Sequence, residues 1–286
     1  MEWLLCLHYS DFWTDPGKQR MPKAWCGFDE TALVQAIDRY TREVLKACID
    51  ADVPPYMVQV GNELTKGMLW PVGETPHWDA LMRFVKTGIA AVRETLPQAY
   101  VMVHLDNGGN QSMYREWFDH FFAAGGDCDV IGLSYYPFWH GTMDGLKDNL
   151  QMLSKRYDKD LIVVETSMGF TIEDYSMHEG LTASERRGPA AKPPLTDHLA
   201  WDMTPEGQTV FLRELFTVMR SIPHDHGKGI FWWEPAWIPV HGSQWATEAG
   251  WQYIGEKGPG GNEWANQALF DFDGHALPAL KVFQEH

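Results

Sequence analysis

The apolar positions of this chain follow two alternating periods. Short runs rich in β-branched and aromatic residues predict strands over 3–7, 57–60, 100–104, 130–133, 161–165 and 230–233. Between them, apolar residues recur every three to four positions and predict helices over 31–51, 78–96, 113–123, 143–156 and 205–221, with a closing helix near 278–284. The repeated unit predicts an α/β fold of the (β/α)₈ TIM-barrel type, N-terminally truncated to about six units where a closed barrel has eight.

The first predicted helix shows the pattern most clearly. Asp29 stands before Glu30 as a suitable N-cap. We predict one apolar face for this helix, formed by Val34, Ile37, Tyr40, Val44 and Leu45.

Long loops are confined to one side of the predicted repeat. The segments 9–26, 166–203 and 234–262 follow strands and are rich in Gly, Pro and Trp, whereas segments that follow helices are short. In a barrel, the long loops of one rim carry the functional residues. The polar stretch 181–201 predicts a mobile excursion inside one loop, so residues 1–286 are predicted to form one domain.

Composition narrows the class of partner. A net charge of -16 and a pI near 5.1 disfavour nucleic acid and anionic membranes, which would be repelled. Fourteen Trp residues exceed what an ordinary core needs, and flat apolar faces with a polar edge suit pyranose rings. A neutral sugar is therefore the expected partner.

Cysteine spacing and the N-terminus bear on the compartment. Cys6, Cys26, Cys48 and Cys128 are widely spaced without a CxxC pair, so we expect free thiols rather than a zinc site or a disulfide framework. No stretch approaches the 18 or so apolar residues of a membrane span. The chain begins in a strand pattern without a signal peptide, which as written favours a cytoplasmic protein.

Two predicted strands end in glutamate. Glu63 follows VQVGN and Glu165 follows LIVV, at the position where barrel enzymes keep catalytic residues. Retaining glycosidases use one carboxyl group to protonate the leaving oxygen and another to attack the anomeric carbon, roughly 5 to 5.5 Å away. The plainer interpretation is that each glutamate caps a helix or pairs with a surface Lys. Glu234, also near a strand end, ranks third as a structural or supporting group.

Other candidates surround this pair. His8, His104 and His140 end or follow strands, but without HExxH or HxH spacing they favour hydrogen bonding over a metal site. Tyr135 or Tyr136 is a candidate donor to a nucleophilic carboxylate, and strand parity leaves open which of them points inward. Tryptophans in the rim loops are either structural or stacking platforms; they are Trp13, Trp139, Trp233, Trp237 and Trp245.

Six sequence blocks resemble glycoside hydrolase family 53, the endo-β-1,4-galactanases of clan A. They are HYSDFWTDPGKQ at 8–19, QVGNE at 59–63, HLDNG at 104–108, DVIGLSYYPFWHG at 129–141, VETS at 164–167 and WEPAWIP at 233–239. The likeness runs through the whole chain in the same order. It implies a (β/α)₈ fold and retaining endo-cleavage of β-1,4-galactan in the type I arabinogalactan of pectin.

The resemblance also implies residue roles. Glu63 would be the acid/base, Glu165 the nucleophile, Asn62 a ligand of the sugar beside the scissile bond, and Trp233 an aromatic platform. No cofactor takes part, and we expect no calcium because no series of Asp and Asn ligands follows the last strands. The full set of expected substrate-binding residues is His8, Asp11, Trp13, Asn62, His104, Asp106, Tyr135, Tyr136, Trp139, Trp233 and Trp237.

One departure from the family pattern matters. Family members have two further βα units before the block that matches 8–19, so this chain resembles them only from their third strand onward. One of those two units carries an Arg near the nucleophile, and a secretion signal usually precedes them. Lacking two strands, the sheet is expected to have open edges and to form homo-oligomers through them. Two alternatives stay open: a truncated homologue that only binds galacto-oligosaccharide, and a clan relative that acts on another β-linked polysaccharide.

Overall fold

The computed structural model describes residues 2–175, 189–242, 244–255 and 262–285. Within these ranges, six parallel strands form one curled sheet: β1 (Leu4–Leu7), β2 (Met57–Val60), β5 (Tyr100–Leu105), β6 (Val130–Tyr135), β7 (Asp160–Thr166) and β8 (Gly227–Trp232). Their order across the sheet is β1-β2-β5-β6-β7-β8. A small antiparallel hairpin, β3 (Gly67–Met68) and β4 (Gly73–Glu74), follows β2.

Five helices, α1 to α5 in the list that follows, connect successive strands of the sheet, and the last two come after its final strand. They are α1 (Glu30–Asp50), α2 (Trp78–Thr95), α3 (Gln111–Ala123), α4 (Met143–Tyr157), α5 (Pro205–Arg220), α6 (Glu248–Ile254) and α7 (Ala279–Val282). The predicted α/β class and the six strands are confirmed. The hairpin and α6 were not predicted, because both are short elements inside long loops.

Helix α1 begins as predicted, but its buried face is shifted. Asp29 accepts a hydrogen bond from the Ala32 amide and caps the helix. The predicted core residue Tyr40 is 39% exposed. Its place is taken by Thr41, a buried polar residue whose hydroxyl bonds both the Ile37 carbonyl and the Tyr9 hydroxyl. A hydrophobicity pattern misses this position because the threonine is satisfied by partners that the sequence does not show.

Helix α2 packs directly on strand β2 because its residue 88 is glycine. A Cβ atom at Gly88 would lie 2.6 Å from Val60 Cγ1 and 2.8 Å from the Tyr9 hydroxyl. A side chain at this position would force α2 and β2 apart. It would thereby disturb the turn after β2 that carries Glu63.

The interior of the sheet is layered along the strand direction. Near the amino ends, the inward side chains are apolar and form a cluster of Met57, Met102, Val130, Ile162 and Val164 with Leu4. Two residues further along β1, β2 and β5, the inward positions turn polar, at Cys6, Gln59 and His104. On β6 the polar position is Ser134, four residues beyond Val130. This alternation follows from the two-residue period of a strand and places chemistry at the carboxyl ends.

The sheet is open in the described ranges, where β1 and β8 each pair on one side. Phe231 on β8 is 45% exposed at the amino-end mouth of the sheet. The excursion expected at 181–201 falls partly on residues 181–188, outside the described residues. After the gap, the loop returns to the core, where Ala191 is buried and Ala190 N bonds Glu263 O.

Two further sequence expectations bear on the chain's setting. All four cysteines are free thiols, as predicted. In the part of the chain that the structure describes, each helix is too short or too polar to span a lipid bilayer.

Candidate active site

A cleft of about 460 Å³ opens at the carboxyl ends of the strands. Glu63 and Glu165 both line it, beside six tryptophans. Of the two expected catalytic and eleven expected substrate-binding residues, eight lie on its walls: Glu63, Glu165, His8, Trp13, Asn62, Tyr136, Trp139 and Trp233.

Glu63 reaches the cleft through a tight turn after β2. Gly61 and Glu63 both have positive φ, at 79° and 49°, and a short 3₁₀ turn follows at Leu64–Lys66. Only glycine adopts such a conformation freely, so the Glu63 backbone is held by its surroundings. Part of that hold is Gln19, whose amide donates to the backbone carbonyls of Asn62 and Glu63.

The two carboxyl groups face each other across the bottom of the cleft. Glu63 is 7% exposed, and its Oε1 lies 2.6 Å from the Ser134 hydroxyl. Glu165 lies in β7, and its Oε2 accepts a hydrogen bond of 3.1 Å from the Tyr136 hydroxyl. One oxygen of each carboxyl group lies within 4.8 Å of the other.

Burial and mutual repulsion determine which of the two carboxyl groups loses its proton first. Burial raises the pKa of Glu165 from 4.5 to about 7, against the hydrogen bond from Tyr136 that favours the charged form. The pKa of Glu63 is raised further, first by burial and then by the negative charge of Glu165. Glu165 is therefore the first to ionise, and Glu63 keeps its proton.

Asn62 follows the end of β2, and its side chain is held in place at the wall of the cleft. Its Nδ2 donates to the Thr14 carbonyl at 2.9 Å, and its Oδ1 lies 3.0 Å from both Gln59 Nε2 and His104 Nδ1. The side chain is nearly fully buried but lines the cleft beside Glu63. Its position is therefore preorganised before any ligand arrives.

The three histidines are neutral and hydrogen-bonded to protein. Burial lowers the pKa of His8 and of His140 to about 4, and that of His104 to about 3. Glu63, His104 and Glu165 bring one potential ligand atom each within 4.8 Å, but both nitrogens of His104 already contact protein partners. A second group, Asp271, Asp273 and His275, lies near the surface away from the cleft.

Aromatic side chains form two walls of the cleft. On one side, Trp13 packs against Trp245 with ring centroids 5.4 Å apart, and Trp251 meets Trp13 edge-on at 5.7 Å. On the other, Trp264 packs against Tyr136 and Trp139 at 5.7 and 5.8 Å. The walls present flat apolar surface beside the carboxyl pair.

Five predicted binding residues do not line the cleft. Tyr135 lies on the helix side of the sheet, where it stacks on Phe211 and donates to the Gly141 carbonyl, so Tyr136 is the tyrosine that faces the site. His104 lies one layer deeper, behind Asn62 and Ser134.

The other three are held elsewhere by partners the sequence does not reveal. Asp11 accepts from the Lys23 amide and the Tyr253 hydroxyl on the outer rim. Asp106 accepts a hydrogen bond from the Thr65 hydroxyl. Trp237 packs behind Trp245.

Sequence reasoning missed several lining residues. Thr14, Asp15, Pro16 and Lys18 belong to the first motif block and were available to it. Trp251, Glu263 and Trp264 had no signal, because Trp251 lies in the short helix α6 that was not predicted and the other two lie in the irregular loop after it. His140 and Trp245, which the sequence analysis named among the candidates around the carboxyl pair, also line the cleft.

Lys18 is the one basic side chain among the described lining residues. Its Nζ lies 3.8 Å from Asp15 and 4.3 Å from the centre of the Trp13 ring. Glu234 is half buried, has φ 50° and does not line the cleft.

Comparison with known proteins gives one consistent result. The family model described as "Glycosyl hydrolase family 53" matches residues 1–283. An endo-beta-1,4-galactanase of Bacillus subtilis (strain 168) is 37% identical over 302 residues, which cover 99% of this chain and 67% of that protein.

Two solved structures share the fold. The Ignisphaera aggregans GH53 catalytic domain superimposes with a TM-score of 0.87 at 36% identity, covering 99% of this chain and 73% of that one. A structure described as one of two fungal beta-1,4-galactanases gives a TM-score of 0.78 at 28% identity, covering 100% of this chain and 78% of that one. The chain is therefore a glycosidase by descent and belongs to glycosyl hydrolase family 53.

Proposed function

We propose that this protein hydrolyses internal β-1,4-galactosidic bonds with retention of anomeric configuration. The observation that carries the proposal is the approach of the Glu63 and Glu165 carboxyl groups to within 4.8 Å. Retaining enzymes hold these groups about 5 to 5.5 Å apart, whereas inverting enzymes need about 6.5 to 9.5 Å to admit a water molecule. The observed spacing fits direct attack on the sugar.

In the first step, the Glu165 carboxylate attacks the anomeric carbon. The glycosidic C–O bond breaks, Glu63 gives its proton to the departing oxygen, and a covalent glycosyl-Glu165 ester forms. In the second step, Glu63 as carboxylate takes a proton from water, whose oxygen displaces Glu165 from the anomeric carbon. Both carboxyl groups return to their starting protonation, and no cofactor is required.

The order of ionisation supports these roles. A nucleophile must be charged and a general acid must be protonated in the same enzyme molecule. Glu165 ionises first because Tyr136 stabilises its charge and Glu63 is repelled by it. We therefore assign Glu165 as nucleophile and Glu63 as acid/base.

The substrate class rests on the cleft and on the relatives. Six tryptophans suit stacking against sugar rings, and a net charge of -16 disfavours acidic polysaccharides such as polygalacturonate. The named relatives are galactanases. Neutral β-1,4-galactan, the type I arabinogalactan of pectin, is the substrate that fits both observations, with Asn62, His8, Trp13, Trp139 and Trp233 as its contacts.

One observation favours a second candidate, a protein that binds galactan without turning it over. The described residues place Tyr136 on Glu165, with no arginine or lysine hydrogen-bonded to that carboxylate. With its pKa raised to about 7, part of the nucleophile is protonated at neutral pH. This form would bind oligosaccharide on the same aromatic walls and release little product.

The test is reducing-sugar release from purified β-1,4-galactan, with product lengths read by chromatography. Mixed oligosaccharides early in the reaction support endo-cleavage, and single galactose units from the start would contradict it. Binding of galacto-oligosaccharide without product would support the second candidate. A panel that includes β-1,3-galactan and mannan tests the alternative that the chain acts on another β-linked polysaccharide. The Glu165→Ala variant serves as the blank in each assay.

We also propose that the open sheet edges associate in solution. In the described ranges, β1 and β8 leave backbone groups without a strand partner on one side. The half-exposed ring of Phe231 lies beside this edge. Exposed edges next to apolar surface are the usual sites of strand pairing between copies.

A further inference from the structure

The Asn62 amide can lie in only one of its two orientations. Its Nδ2 is 2.9 Å from the Thr14 carbonyl oxygen, an atom that only accepts hydrogen bonds. Its Oδ1 is 3.0 Å from Gln59 Nε2, and that nitrogen is fixed as a donor by the Gly61 carbonyl at 2.9 Å. Asn62 Oδ1 is therefore an acceptor for every group around it.

This orientation fixes the tautomer of His104. His104 Nδ1 lies 3.0 Å from Asn62 Oδ1, so Nδ1 must carry hydrogen. The ring is fully buried and neutral, which leaves Nε2 with a bare lone pair. The Ser134 hydroxyl lies 2.8 Å from Nε2 and is the group that donates to it.

A hydroxyl group has one hydrogen, and Ser134 has a second neighbour. Its Oγ is also 2.6 Å from Glu63 Oε1. Because its hydrogen is given to His104, Ser134 can only accept from Glu63. The hydrogen between these two oxygens must then come from the carboxyl group.

Resting on the catalytic role proposed for Glu63, we propose that His104 and Ser134 are positioning residues that store the acid proton of Glu63 in the unliganded enzyme. The proton sits on the inner oxygen, Oε1, and is donated to Ser134. A half-turn about the Cγ–Cδ bond brings it to the cleft, where a glycosidic oxygen accepts it. Neither His104 nor Ser134 touches the substrate.

The arrangement disfavours loss of this proton in the free enzyme. If Glu63 ionises, Ser134 must turn its hydrogen toward the carboxylate. His104 Nε2 then faces an oxygen lone pair at 2.8 Å without a donor. The ionised form of Glu63 therefore costs one hydrogen bond that the protonated form keeps.

The other groups around Glu63 act in the same direction or are neutral. Glu165 on β7, Asp106 after β5 and Asp15 after β1 repel a charge on Glu63. The nearby phenols and thiol keep their protons, and the other histidines of the cleft are uncharged; these groups are Tyr114, Tyr136, Cys6, His8 and His140. Lys18, the basic residue of the cleft, lies beside Asp15.

One rival arrangement has the same number of protons. His104 as imidazolium could donate to Ser134, which would donate to a Glu63 carboxylate. The two arrangements predict opposite responses to substitution, because Ser134 would then stabilise the charged form of Glu63 rather than the neutral one. Full burial of His104 disfavours the charged pair.

The first test is the tautomer of His104, read from long-range proton–nitrogen NMR spectra of ¹⁵N-histidine-labelled protein at pH 6. The proposal expects Nδ1–H with a bare Nε2. A doubly protonated ring or an Nε2–H tautomer overturns it. The His104→Asn variant assigns the signal.

The second test is the titration of Glu63, followed through its ¹³C-labelled carboxyl carbon and assigned with Glu63→Gln. In Ser134→Ala and in His104→Asn, whose amide keeps a donor toward Asn62, the pKa of Glu63 should fall by about one unit. An unchanged or higher pKa in a folded variant overturns the proposal. Neither spectrum requires turnover. Failure to cleave galactan would therefore contradict the proposed function, whereas the two spectra would still decide how the proton of Glu63 is held.

Discussion

The hydroxyl of Tyr136 donates a hydrogen bond of 3.1 Å to Oε2 of Glu165. In the described part of the chain, this phenol is the group that favours the charged form of a carboxylate whose pKa burial raises to about 7. Its neighbour Tyr135 points to the opposite face of the sheet and donates to Gly141. Of these two adjacent tyrosines, Tyr136 therefore belongs to the candidate active site and Tyr135 to the core.

Tyr136→Phe should raise the pKa of Glu165. The nucleophile would then need a higher pH to ionise, so the acid limb of kcat/KM should move upward by about one pH unit. Tyr135→Phe is the matched control, since it removes one hydroxyl of the same residue type from the core. An acid limb that moves in the control as much as in Tyr136→Phe would contradict the assignment.

Glu165→Gln should stabilise the protein at alkaline pH. A carboxyl group with a raised folded pKa binds more protons folded than unfolded, so its contribution falls as pH rises from 4.5 to about 7. The wild-type chain loses roughly 3 kcal/mol across that window from this group. Thermal unfolding should show a higher Tm for the variant at pH 8 and an equal Tm at pH 4; an equal Tm at both would contradict the shift.

Trp233→Ala should weaken substrate binding without removing the chemistry. The ring lines the cleft, and loss of stacking worth ~1.4 kcal/mol corresponds to about a tenfold weaker affinity for galacto-oligosaccharide. Trp25→Ala is the control, because Trp25 packs edge-on against Tyr40 and does not line the cleft. Calorimetric titration of both variants compares them directly, and equal losses would remove Trp233 from the proposed binding set.

The open edges predict self-association. Light scattering on a sizing column should give a mass above that of one chain, and Phe231→Lys, which puts a charge on the edge strand β8, should lower it. A monodisperse monomer with a sharp unfolding transition would contradict the prediction.

The sequence predicted the elements whose pattern is carried by the chain itself. All six parallel strands were predicted because their runs are short and mostly apolar, and Glu63 and Glu165 because each follows such a run. Asp29 was predicted as a cap from its position alone.

What failed depended on long-range partners. Asp11 and Asp106 belong to matching motif blocks but are bound by Tyr253 and Thr65 outside the cleft. Trp264 lines the cleft from a loop without periodicity, so no pattern placed it there. The division of Tyr135 and Tyr136 between core and site follows from strand pleating together with the register shift between Leu133 and Ser134, which sequence parity does not show.

The roles of Glu63 and Glu165 are tested most directly by the anomeric configuration of the first product. Proton NMR during early hydrolysis of β-1,4-galactan should show the β-anomer of the new reducing end before mutarotation produces the α-anomer. The Glu165→Ala variant should release no such product. Initial appearance of the α-anomer, or undiminished release by the variant, would contradict a retaining mechanism through Glu165.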